Sequence, residues 1–179
     1  MNPQRRIVLS GLLAAGPMLA LAHPLSGDAT RFVTTTLTIG GRIRQPSQFS
    51  VEALKAFPVQ SPAEIPIIGR SGDTVRALKN YSGARLTDLL DKAGLPTSDH
   101  NVLKRTVIVA TASDDYKAVF SWNELYNTAV GEGVLVLYAK DGQPLGDEEG
   151  RIALISTKDL HTGPRHVRWL KDIQLVKIA

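Results

Sequence analysis

The chain has 179 residues, with 21 Lys and Arg against 17 Asp and Glu, four histidines and no cysteine. That length suits one domain around one core, and the missing cysteine excludes disulfides, zinc fingers, iron–sulfur clusters and thiol nucleophiles. The formal charge of +4 is not gathered into Lys/Arg blocks interleaved with aromatics, so no nucleic-acid partner is expected.

The start, "MNPQRRIVLSGLLAAGPMLALAH", has a basic head, an apolar run from Ile7 to Ala22 and a small-residue ending. This is the layout of a secretory signal over residues 1–22, with cleavage expected before His23. Arg5-Arg6 before Ile7-Val8-Leu9 also resembles a twin-arginine export signal, with Gln4 where Ser or Thr is usual. The run carries Gly and Pro and is short of the ~20 residues of a membrane span, so no stable span is expected after cleavage. The mature chain is expected to be periplasmic or secreted, and losing Arg5 and Arg6 lowers the formal charge from +4 to +2.

Residues 23–32 read as a flexible leader and 33–179 as the domain. "FVTTTLTIGGRI" clusters β-formers and breaks at Gly40-Gly41, a strand and turn. "SVEALKAF" predicts a short helix with Ser50 as N-cap and Pro58 as its stop. "EIPIIGRSGDTVRALKNYSG" reads as extended pieces joined at Gly72-Asp73, and Pro66 confines the first to an edge. "ARLTDLLDKAGL" is the clearest helix: Leu86, Leu89, Leu90 and Ala93 share one face and Gly94 terminates it.

"RTVIVATA" has the composition of a buried strand, and "YKAVFS" follows it after the Asp114-Asp115 turn. "SWNEL" carries a capping box, Ser121 with Glu124 three residues on. "GVLVLYAKDGQPL" predicts a strand entering a turn at Asp141-Gly142, "RIALIST" another strand, and "VRWLKDIQLVKI" a closing β segment. Strands and short helices alternate without a βαβ period, which favours a single α+β domain with a mixed, barrel-like sheet.

No G-x-S-x-G elbow, phosphate loop or EF-hand spacing occurs. His23, as the first mature residue, could join His161 and His166 in a nitrogen-ligated metal site, although no H-x-H or H-x-x-x-H spacing supports one. The stretch "GPRHVRWLKDIQL" is the remaining candidate. If extended, it puts Arg165, Val167 and Trp169 on one face and His166, Arg168 and Leu170 on the other. Its guanidinium forks match phosphate or carboxylate, while the alternative is a packed Trp169 and Leu170 with solvated cations.

Three segments in order, "YSGARLTDLLDKAGL", "ASDDYKAVFSWNEL" followed by "GVLVLYAKDGQPLGDEEGRIALI", and "GPRHVRWLKDIQL", resemble the sulfite oxidase-type molybdopterin-binding domain. The likeness covers roughly residues 33 to 178. It implies the fold of that domain and a molybdopterin-type cofactor or similar phosphate-bearing anion. It also implies that Arg165, His166 and Arg168 grip the anion beside Asp115 and Tyr116, and that an electron-transfer partner exists if the domain is redox active. Catalytic members of that family hold molybdenum through a cysteine thiolate, and this chain has none. Ser71 and Ser82, in the corresponding region, are poor substitutes because a hydroxyl ionises far less readily than a thiol of pKa ~8.5. Two readings stay open: a cysteine-less variant that binds the cofactor, and a non-enzymatic periplasmic ligand- or protein-binding module.

Overall fold

Strand β8, Val134–Lys140, organises the molecule because it is buried on both faces. Val134, Val136 and Tyr138 point into one apolar cluster, while Leu135 and Leu137 point into a second. A continuous apolar run is what a strand covered on both sides requires. The structure is a computed structural model that describes residues 29–95 and 99–178. The expected signal and His23 lie outside the described residues.

Eleven strands form three sheets among the described residues. The first holds β2 (Ser47–Ser50), β1 (Thr36–Gly41), β11 (Leu170–Lys177), β6 (Thr106–Ala112) and β7 (Lys117–Ser121), in that order. β1 and β11 run parallel, Thr38 opposite Asp172, and the other pairs are antiparallel. The second has β10 (Ala153–Ser156), β8 and β5 (Tyr81–Arg85) in order, with the two-residue β9 (Gln143–Pro144) also on β8. The third is a hairpin of β3 (Glu64–Ile68) and β4 (Thr74–Lys79). Pro66 lacks an N–H, and β3 pairs only with β4, so its edge position costs no ladder bond there.

The larger core lies between the first two sheets, where Leu37, Ile39, Ile108, Phe120 and Ile173 meet Val136, Leu154 and the apolar face of α2. Helix α2, Leu86–Ala93, buries the four predicted residues and ends at Gly94, whose φ of 80° suits glycine. The smaller core packs the hairpin through Ile65, Ile67 and Leu78 onto the far side of β8 and β10. Three layers result, and the α+β reading holds.

Helix α1, Val51–Leu54, is capped by Ser50, which accepts from Ala53 N at 3.2 Å. Its helical run stops before Pro58 because Lys55 to Phe57 already turn back onto it. Helix α3, His100–Leu103, is an unanticipated single turn capped by Asp99. Helix α4, Trp122–Asn127, has both arms of the capping box between Ser121 and Glu124. Within the expected leader, Ala29–Phe32 instead make a 3-10 turn, because the Phe32 ring packs 5.3 Å from that of Trp169 and holds this stretch against the domain.

Candidate functional site

The segment before β11 is not one extended strand. Gly163–Arg165 form a 3-10 turn, Val167 makes an isolated bridge to Leu154, and Trp169 sits at a φ of 51°. The two-faced alternation expected for 165–170 is therefore corrected. The left-handed residue breaks the period of two, so Trp169 and Leu170 are buried in succession.

Several contacts hold this irregular path. Thr162 is buried, and its hydroxyl accepts from Ile68 N at 2.9 Å and donates to the Pro66 carbonyl. The chain then passes close under β3, where a Cβ on Gly163 would stand 2.9 Å from the Ile68 carbonyl oxygen. Trp169 is fixed by its indole N–H on Asp147 O at 2.7 Å and its backbone N–H on Glu149 O at 2.8 Å. Gly150, at a φ of +84°, lies against the indole where a side chain would collide with it.

Facing this segment is the β6–β7 turn. Asp115 takes the left-handed position, with φ 69°, and its side chain swings out to solvent 3.5 Å from Lys171 Nζ. Asp114, also exposed, instead accepts from Tyr116 N at 3.1 Å. The Tyr116 hydroxyl donates to Pro164 O at 2.7 Å, which joins the turn to the closing segment. Between them lies an open cleft of about 220 Å³ lined by Asp114, Tyr116, Gly163, His166 and Arg168.

The expected site residues divide sharply in that frame. Arg168 is exposed, stacks 4.3 Å over the Trp169 ring, and makes no hydrogen bond or ion pair among the described residues. Tyr116 and His166 line the same cleft, whereas Asp115 does not and Asp114 takes its place. Arg165 points inward. Its guanidinium grips both oxygens of Asp159, donates to Glu124 Oε1 at 3.0 Å and covers the Phe120 ring at 4.4 Å. Burial works against its charge, but the two carboxylates outweigh burial and raise its pKa, so its donors are committed internally.

His166 is also paired: its Nε2 lies 2.9 Å from Glu149 Oε2, and Arg76 Nη2 reaches Glu149 Oε1 at 2.7 Å. Burial pushes the Glu149 carboxyl up, yet the hydrogen bonds and charges of His166 and Arg76 hold it below the ordinary value. Sequence reasoning missed Glu149 and Arg76 as partners because their contacts join separate pieces of chain, and Asp159 because the irregular loop that folds it back onto Arg165 six residues later has no periodicity. Glu124 was visible as a cap, though not as a partner of Arg165.

His161 lies exposed beside the Gly72 turn, and among the described residues no three His, Asp or Glu side chains gather as metal ligands. Ser71 Oγ donates to Asp73 at 2.8 Å and Ser82 Oγ pairs with Ser61 Oγ at 2.9 Å. Neither serine lines the cleft.

Residues 26–178 match the family described as "Oxidoreductase molybdopterin binding domain". The chain belongs to that family. The domain's fold is shared with the sulfane dehydrogenase SoxCD from Paracoccus pantotrophus, whose crystal structure superposes with a TM-score of 0.58 at 18% identity. The alignment covers 80% of this chain and 38% of that one. No curated protein matches the chain.

Membership of the molybdopterin-binding family poses a test of fit. The cleft of about 220 Å³ falls below the ~300–1,000 Å³ of pockets that enclose a drug-sized ligand. Its lining offers one uncommitted guanidinium, an imidazole, a carboxylate and no thiol. These groups fit a phosphate-sized anion or the polar edge of a pterin ring. They do not fit the complete metal-bearing cofactor of the family.

Proposed function

We propose that this chain is an exported, ligand-binding member of the molybdopterin-binding domain family that does not run molybdenum redox chemistry. It takes a small pterin-type or phosphate-bearing anion in the cleft between the β6–β7 turn and the closing segment. Arg168 supplies the charge, with Tyr116, His166, Asp114 and the Gly163 backbone around the ligand. Arg165 and Asp115, implied as binding residues by the family resemblance, serve as an internal strut and a turn residue. The observation that carries this reading is the donor set: a single uncommitted arginine in a small cleft, in a chain without a thiol.

Export is supported by the basic head and apolar run of residues 1–22. No helix among the described residues is long and apolar enough to cross a membrane. A module of this kind would report ligand to another periplasmic protein rather than pass electrons.

The test is purification of the protein with its own signal from the periplasm of a molybdenum-replete host. Metal content and the fluorescence of oxidised pterin are then measured on folded material. The expected result is a retained or rebound pterin with molybdenum far below one atom per chain. Molybdenum at one atom per chain overturns the reading, as does a folded protein that neither retains nor rebinds a pterin or phosphate-bearing ligand.

A further inference from the structure

Glu149 is 5% exposed and does not line the cleft, so the ligand reading gives it no direct role. Its two oxygens are divided between Arg76 and His166. Arg76 comes from β4, Glu149 from the loop before β10, and His166 from the closing segment. Three separate pieces of chain thus converge to hold one imidazole. The His166 side chain is only 5% exposed, yet it lines the cleft with Asp114, Tyr116, Gly163 and Arg168. With Nε2 committed to Glu149, Nδ1 is the remaining polar atom of the ring, and it has no hydrogen bond among the described residues.

We propose that His166 meets the cleft ligand through Nδ1, and that Glu149, held in turn by Arg76, is the positioning residue that fixes the ring and its tautomer. The proposal rests on the ligand-binding reading above. An ionised carboxylate only accepts hydrogen bonds, so a neutral imidazole beside it must place its proton on Nε2. Nδ1 then presents a lone pair to the cleft. Asp114 contributes a second acceptor from the facing turn, and Arg168 is the facing donor; Arg76 and Glu149 are the charges behind the ring.

A cleft with one guanidinium and two acceptors selects an anion that still carries a hydrogen. Hydrogen phosphate meets that demand and sulfate does not, because every sulfate oxygen would leave Nδ1 and Asp114 facing another acceptor. The same acceptors would receive ring N–H groups of a larger ligand. Specificity here comes from penalising the wrong partner as much as from attracting the right one.

Nitrogen-15 NMR at pH 8 reads the two ring nitrogens of His166 directly, in the full mature chain titrated with sodium phosphate and sodium sulfate. The wild type is expected to show the Nε2–H tautomer. Phosphate should move the Nδ1 resonance and bind about tenfold more tightly than sulfate, roughly the worth of one hydrogen bond. In Glu149→Gln the amide must give its oxygen to Arg76 and its N–H to Nε2. The ring proton then moves to Nδ1, and the preference for phosphate shrinks, because Asp114 alone remains as an acceptor in the cleft. An Nδ1–H tautomer in the wild type, equal affinity for the two anions, or phosphate binding that leaves Nδ1 unmoved overturns this proposal and spares the ligand-binding reading. Failure of both anions to bind also overturns it, while pterin retention decides the broader reading separately.

Discussion

Arg165 and Arg168 stand three residues apart and do opposite work, because a 3-10 turn aims one inward and the left-handed Trp169 leaves the other on the surface. Removing Arg165 strands two carboxylates, a mostly buried Asp159 and a half-buried Glu124. Arg165→Ala should cost about 2–3 kcal/mol in urea unfolding, below the ~3–5 of a fully buried pair because the site is partly exposed. Arg168→Ala should change stability by less than ~0.5 kcal/mol, as exposed substitutions do, while weakening ligand binding at least roughly tenfold in calorimetry. Acid should act through Glu149. Its folded-state pKa is lowered, so its contribution is fully present above the ordinary value of 4.5 and is lost as pH falls through the lower folded value. Urea midpoints measured from pH 7 to 3 should fall at the acid end, and Glu149→Gln should start lower and lose less over that range.

At the scale of elements, helix α4 links local capping to the inward arginine, since Glu124 both accepts from Ser121 N at 2.8 Å and receives Arg165. Ser121→Ala removes the cap to Glu124 N, so a loss of about 1 kcal/mol in the unfolding free energy is expected. The capping box, the α2 face and strand β8 were legible in the sequence because each is written in residues close along the chain, whereas the burial of β8 on both faces was not read from it. The single-turn α3 was not: α1 is as short but is marked by the Ser50 cap and the Pro58 stop, and no such stop follows Leu103. Within the candidate site, the turn at Asp114-Asp115 and the cations of the closing segment were legible as features. Which aspartate faces the cleft depends on a left-handed φ, and which arginine is free depends on Asp159 and Glu124. Neither property has a local sequence signature, so a resemblance to a family could point to the segment without sorting its residues.

For the whole molecule, the closing segment sits where every layer meets: Thr162 ties it to the hairpin, Val167 to β10, Trp169 to the loop before β10, and Tyr116 pins it to the β6–β7 turn. A ligand seated on that segment therefore binds only the folded chain, and its binding energy adds to global stability. At one hundred times Kd the gain is about 2.7 kcal/mol, which for a domain of this size raises Tm by about 5–10 °C. Thermal unfolding with and without ligand separates the two arginines in one experiment. Arg165→Ala should begin from a lower Tm and keep the ligand-induced rise, because its guanidinium supports the fold and not the ligand. Arg168→Ala should begin near the wild-type Tm and lose the rise at the same ligand concentration. The reverse pattern, a rise kept without Arg168 and lost without Arg165, would return the anion grip to the inward arginine and require the Asp159 and Glu124 pairs to open on binding.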